Sequence, residues 1–168
     1  MSEGSKLRTN SELEWFEKAL TYCSYQERTT VEVRKKMQEE WLLPQHIQEN
    51  IISRLFEAGI LNDLRFSDSF IRGHLRKGWG LLKIRRALEA KQIDKMKLDE
   101  AIGLVDMTEY KNTLRISISE KGKVKIESLS FNERGKLAAK WINKGFEPTL
   151  VWEIIKGEYD FETDSFLE

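Results

Sequence analysis

The side chains able to do acid–base, nucleophilic or metal chemistry are few and scattered: two histidines, His46 and His74, and one cysteine, Cys23, in 168 residues. A metal centre needs several such ligands at a defined spacing, and a nucleophile needs a base beside it. Neither pattern is present, so no catalytic residue, metal or cofactor is expected. His74 follows Cys23 by 51 positions at the edge of an apolar stripe, which fits packing at a core boundary. Gly78-Trp79-Gly80 lacks the lysine and spacing of a phosphate-cradling loop. It reads as a flexible helix entry, with Gly80 standing where Thr29 caps an earlier helix.

Charge is the chemistry that remains. Lys and Arg number 28, Asp and Glu 28, and the net charge is zero. Between Arg72 and Lys97, however, nine bases stand against two acids, an excess of seven. Such a segment attracts a polyanion or an acidic protein surface, the plain alternative being a solvated face. The candidate binding residues are Arg72, Arg76, Lys77, Lys83, Arg85, Arg86 and Lys91. With Ile84 and Leu88 on the buried side of one helix, Arg85 and Arg86 project away from it; Arg72 and Arg76 form an exposed i,i+4 pair. Trp79 is expected to be exposed beside them, where it suits an interface. The C-terminus is opposite in character. Glu158, Asp160, Glu162, Asp164 and Glu168 carry no compensating base, and Tyr159, Phe161 and Phe166 are interleaved among them. Such a tail solubilises a terminus, folds back on the basic segment, or docks on a partner.

The elements that position these residues repeat. Val33, Met37, Leu42, Ile47 and Ile51 move by 51 positions onto Ile84, Leu88, Ile93, Leu98 and Ile102, and by 53 more onto Leu137, Trp141, Phe146, Val151 and Ile155. The only two prolines, Pro44 and Pro148, are 104 apart and so share one site in the first and third copies. The i,i+4 pairs within each copy describe two helices separated by a tight break. A third helix precedes them, with Trp15, Ala19 and Leu20 echoed by Phe66, Phe70 and Ile71, and more loosely by Tyr110, Leu114 and Ile118. Ser11 with Glu14, Thr29 with Glu32, and Ser130 with Glu133 are candidate capping boxes. Asp94 caps the middle copy's last helix, Leu61 and Phe66 staple the start after Asn62, and Gly59 and Gly157 stop helices. From Leu114 to Ile126 the alternation around Lys121-Gly122 suggests a hairpin. The repeat favours a helix through about Lys121, and that is the reading adopted.

The expected fold is therefore all-α: three tandem three-helix repeats forming an elongated, curved body. Its divisions are a flexible N-terminus over 1–10, repeats over 11–61, 62–106 and 107–157, and an acidic tail over 158–168. Forty per cent apolar and 33 per cent charged residues suit a soluble helical chain. No apolar run reaches the roughly 20 residues of a membrane span, and the polar start lacks a signal peptide's apolar core. A lone cysteine fits a reducing cytoplasm.

Four stretches carry a family resemblance. They are Ala19-Leu20 through Arg28-Thr29-Thr30, the junction from Gly59 to Ser67, the helix from Ile84 to Ile93, and Lys144-Gly145-Phe146. Together they resemble the RecX family of recombinase regulators, over about residues 15 to 157. The junction departs slightly from the family's Leu-Asp-Asp-x-Arg-Phe-Ala, reading Leu61-Asn62-Asp63-Leu64-Arg65-Phe66-Ser67, and Lys91-Gln92-Ile93 stands for Lys-Gly-Ile. Cap and core chemistry are kept in both. The resemblance implies a cytoplasmic, monomeric, non-enzymatic protein that binds the RecA filament on DNA. It implies a body lying in the filament groove that restrains ATP hydrolysis, strand exchange and co-protease activity, with single- or double-stranded DNA as a further contact. A different class stays open, a helix-turn-helix module or helical interaction scaffold. Against direct reading of DNA, the candidate recognition helix from Lys95 to Leu104 contains Asp99 and Glu100.

Overall fold

Residues 3–119 and 125–157 are described by a computed structural model of the chain, with side chains from residue 12 onward. Among these residues all regular structure is helical. The first copy comprises α1 (Glu3–Ser24), α2 (Thr30–Glu39) and α3 (Gln45–Glu57). The second comprises α4 (Asp63–Arg76), α5 (Leu81–Ala90) and α6 (Lys95–Gly103), and the third α7 (Met107–Ile118), α8 (Phe131–Asn143) and α9 (Pro148–Lys156). The three-helix repeat is thus observed. The chain also divides into two compact units, Met1–Phe70 with Ala87–Ala101 and Ile71–Arg86 with Ile102–Glu168. The middle copy is shared between them.

Local chemistry sets most helix limits. Thr29 and Ser130 head full capping boxes: each hydroxyl accepts the third helical N–H, and Glu32 or Glu133 returns to the cap N–H. The Ser130 hydroxyl, donating to Glu133 Oε2 at 2.6 Å, and the Ser130 N–H at 2.9 Å hold the Glu133 carboxyl below its usual range. Asn62 Oδ1 accepts the Arg65 N–H at 2.9 Å, and Asp94 Oδ1 the Met96 N–H at 3.0 Å. Ser11 does not cap, because α1 begins at Glu3 and runs through it. No helix breaker stands immediately before Ser11, so the helix continues upstream and residues 3–10 are helical. Tyr110, Leu114 and Ile118 lie on one buried face of α7, as the repeat required, rather than in a hairpin. That helix ends at Ile118, earlier than expected; Lys121-Gly122 lie outside the described residues, and Ile126–Ser128 form a 3₁₀ turn.

The repeat register needs one correction. The break between second and third helices turns on a left-handed residue, φ +52° at Leu42, +56° at Gln92 and +92° at Gly145. In the later copies the next N–H reaches five residues back, Ile93 to the Leu88 carbonyl and Phe146 to the Trp141 carbonyl, both at 3.3 Å. In the first copy Leu43 reaches six back, to Met37 at 3.0 Å. The first loop is one residue longer. Leu43, 9% exposed, therefore matches Ile93 and Phe146, whereas Leu42 is 78% exposed. Pro44 is the N-cap of α3 and Pro148 the first residue of α9, so the two prolines are not at one site. Downstream, buried Gln48 takes the place of Leu98 and Val151, and its Nε2 is satisfied by the Leu43 carbonyl at 2.7 Å.

Each unit has its own apolar interior. In the first, Val33, Met37, Ile51 and Leu55 are at most 1% exposed, and Trp15 and Tyr22 pack against Trp41 with ring centres 5.6 and 6.2 Å apart. In the second, Phe146 stacks on Tyr110 at 5.4 Å and meets Trp141 edge-on at 5.6 Å. Burying such aromatic rings supplies packing beyond their area alone.

Candidate partner-binding segment

Six of the seven candidate cations lie in the second unit, within Ile71–Arg86. Arg72 and Arg76 occupy the last turns of α4, Lys77 follows it, and Lys83, Arg85 and Arg86 occupy the first turns of α5. These 16 residues contain no Asp or Glu. Arg72, Arg76, Lys77 and Arg86 are exposed, but Lys83 and Arg85 are half-buried. Arg85 therefore does not project fully away from the buried face, as its spacing had implied. Lys91 stands apart in the first unit. Its Nζ lies 2.7 Å from Glu32 Oε1 and 5.5 Å from the centre of the Phe66 ring.

Gly78-Trp79-Gly80 fixes the segment, and it is not a flexible entry. Gly78, at φ +76°, closes α4: its N–H donates to the Leu75 carbonyl at 2.9 Å, and that of Trp79 to the His74 carbonyl at 3.0 Å. The Trp79 ring then packs on His74 with centres 4.5 Å apart and carries the Lys83 ammonium 4.0 Å from its centre. Trp79 is half-buried rather than exposed, and His74 has the boundary packing role its position suggested.

A helix start leaves N–H groups in need of acceptors. Here three come from the third copy. The Gly80 N–H donates to the Lys144 carbonyl at 2.8 Å, Leu82 to the Gly145 carbonyl at 3.0 Å, and Leu81 to the Tyr110 hydroxyl at 3.1 Å. Tyr110 in turn donates to Glu147 Oε2 at 2.8 Å. Burial pushes the Tyr110 phenol well above its ordinary range; the Leu81 N–H opposes this and the Glu147 carboxylate adds to it. The approach is close enough that a Cβ on Gly80 would overlap the Gly145 carbonyl and Phe146 nitrogen, and one on Gly145 would overlap Lys83. The same contact brings in two cations that the sequence reading missed. Lys144 Nζ lies 4.4 Å from the Trp141 ring centre, with Lys140 Nζ at 5.6 Å. A Cβ on Gly78 would stand 3.9 Å from Lys144 Nζ. No sequence signal pairs Gly78-Trp79-Gly80 with Lys144-Gly145-Phe146, because the two stretches lie some 65 residues apart.

The arrangement offers charge and shape rather than reaction chemistry. Among the described residues, no group of three His, Cys, Asp or Glu is placed to hold a metal ion, and no helix is long and apolar enough to cross a membrane.

A family model described as "RecX, second three-helix domain" matches residues 62–102, the span of α4 to α6. A regulatory protein RecX of Streptococcus gordonii is 28% identical over 129 residues, covering 76% of this chain and 49% of the relative. The chain thus spans about half the length of that relative. A regulatory protein RecX of Pseudomonas fluorescens (strain SBW25) is 25% identical over 142 residues, covering 83% of this chain and 88% of the relative. The crystal structure of RecX from Lactobacillus salivarius has the same fold, with a TM-score of 0.73 at 24% identity, covering 89% of this chain and 97% of that one. With a family domain falling on the middle three helices and alignments covering three quarters or more of its length, the chain is similar to regulatory proteins of the RecX family.

Proposed function

We propose that this protein is a non-enzymatic cytoplasmic regulator that binds the RecA recombinase filament on DNA and lowers its ATPase, strand-exchange and co-protease activities. One observation carries the reading: the acid-free segment Ile71–Arg86, with six Lys and Arg side chains, is held by backbone hydrogen bonds to the third copy. A filament on DNA carries phosphates, and a preformed cationic segment is complementary to such a polyanion. The likeness to regulatory proteins RecX supports the regulatory part of this reading.

Reading of duplex DNA by the second and third helices of a copy is less well supported. In the middle copy α6 exposes Asp99 and Glu100, which repel phosphate. The deciding experiment titrates the protein into RecA turning over ATP on single-stranded DNA. The expected result is a saturable fall in ATPase, together with pull-down of RecA that is stronger when DNA is present. Unchanged ATPase, with binding to duplex DNA alone, would overturn the proposal in favour of a DNA-reading module.

A further inference from the structure

An ion pair at the junction of the first two copies has two like charges as its counterpart at the next junction. Glu32 is the third residue of α2, and Lys91 directly precedes the left-handed Gln92; the two half-buried side chains are 2.7 Å apart. One copy further on, Lys83 is the third residue of α5, and Lys144 directly precedes the left-handed Gly145. The repeat therefore puts Lys83 where Glu32 stands and Lys144 where Lys91 stands. The backbone brings both to one contact. A Cβ on Gly145 would overlap the Lys83 Cβ, and one on Gly78 would stand 3.9 Å from Lys144 Nζ.

Lys83 and Lys144 are both half-buried, and a charge withdrawn from water is costly unless something offsets the loss. Among the described residues neither is paired with a carboxylate. Each lies on an indole instead, Lys83 Nζ 4.0 Å from the Trp79 ring centre and Lys144 Nζ 4.4 Å from that of Trp141. A ring face attracts an ammonium, yet it covers one side of it and carries no net charge. Glu147, the acid nearest to Lys144 in the chain, is committed to the Tyr110 hydroxyl. Both positive charges remain to be met by an anion.

The surroundings favour phosphate. The cations gathered here are all lysine: Lys77 beside Gly78, Lys83, Lys144, and Lys140 near the Trp141 ring. Arginine's fork matches a carboxylate, whereas lysine acts as a point charge that suits a phosphate oxygen. The acid-free stretch Ile71–Arg86 extends the same sign along the chain, which suits a strand with a phosphate at every nucleotide. The Trp79 ring already carries His74 and Lys83, so it is not offered to a base.

We propose that Lys83 and Lys144 form a phosphate site for the backbone of a DNA strand, the phosphate taking the place that the Glu32 carboxylate has at the first junction. That the strand lies in a RecA filament rests on the function proposed above; the phosphate site does not. Because ring contacts already order both lysine stems, binding costs less side-chain freedom than at a surface lysine.

The test follows the anisotropy of a fluorescein-labelled oligothymidylate titrated with the full chain, without RecA. Lys83→Glu recreates the charge arrangement of Lys91 and Glu32 and puts an acid in the first turn of α5, so the urea midpoint should hold or rise. Affinity at low salt should nevertheless fall ten-fold or more. Lys35→Glu, the same charge change at an exposed position of α2, should cost less than three-fold. Lys83→Gln combined with Lys144→Gln should flatten the slope of log affinity against log salt by about 0.7, the release expected for one phosphate of a single strand. Should Lys83→Glu fail to fold, the glutamine pair decides. Affinity losses no larger than that of Lys35→Glu would overturn the site. So would intact oligonucleotide binding with loss of RecA pull-down in the absence of DNA, which would make the anion a protein carboxylate. Loss of oligonucleotide binding by Lys83→Glu, beside a wild type that leaves RecA ATPase unchanged, would instead overturn the RecA reading and leave the phosphate site standing.

Discussion

The N–H groups of Thr30 and Leu81 stand at the same place in two copies, each at the start of a second helix, and the two units satisfy them differently. In the first unit the acceptor is a buried carboxylate. Asp63, 8% exposed, accepts the Thr30 N–H at 3.0 Å and the Thr30 hydroxyl at 3.0 and 3.2 Å, and Lys97 Nζ stands 3.3 Å away. Lys91 is likewise committed to Glu32. In the second unit the acceptor is the neutral Tyr110 hydroxyl, backed by Glu147 and by two glycines in close approach. The first junction draws basic side chains inward as counterions. The second is closed by backbone carbonyls and a phenol. The sequence differs in the same sense: Ile71–Arg86 contains no acid, whereas the equivalent residues of the first copy include Glu27 and Glu32.

The largest expected break is in the second unit's interior. Trp141, 5% exposed, should cost about 3–5 kcal/mol of unfolding free energy as Trp141→Ala. A loss below about 1 kcal/mol in urea titration would contradict its place in the core. Next is the glycine contact. Gly80→Ala should cost about 2–3 kcal/mol, since its Cβ meets backbone that cannot yield. Gly73→Ala, in the helical part of α4 with nothing within 4 Å, should instead gain up to about 1 kcal/mol. Equal effects would show that the approach is not tight.

Tyr110→Phe should cost about 1–3 kcal/mol, because the Leu81 N–H and Glu147 each lose a partner. It should also change the pH profile. The folded phenol titrates above its ordinary range, so above about pH 10 the unfolded chain releases a proton that the fold retains. Stability is then fully present below that pH and falls as pH rises, a slope that the phenylalanine variant should lack. The smallest stability effects belong to Arg76, Lys77 and Arg86, exposed side chains whose reversal to Glu should change stability by less than about 0.5 kcal/mol each.

Much of this was legible where the cause is local. The Thr29 and Ser130 boxes, the glycine stops and the α7 face each depend on residues within one helical turn or on the repeat. The misses have non-local or degenerate causes. Leu42 and Leu43 are both apolar, so one inserted residue left the pattern looking intact while it moved the left-handed position. Ser11 with Glu14 fits a cap motif, but a cap needs a break before it. Lys91 finds Glu32 across 59 residues of sequence, and Gly80 meets Gly145 across 65, so nothing adjacent in the chain announces either contact.

The central claim is that the second unit's cations provide the electrostatic part of filament binding. The most direct measurement is RecA ATPase on single-stranded DNA across a salt series, with Arg76, Lys77 and Arg86 all reversed to Glu. The control reverses Lys35 and Lys36 of α2, which pair with Glu39 and with the helix's C-cap Glu40 one turn on. The expected result is that wild-type inhibition weakens as salt rises, the triple reversal loses most inhibition at low salt while remaining folded, and the control stays near wild type. If the triple reversal inhibits as well as wild type at every salt concentration, the segment is a solvated face and the claim is contradicted.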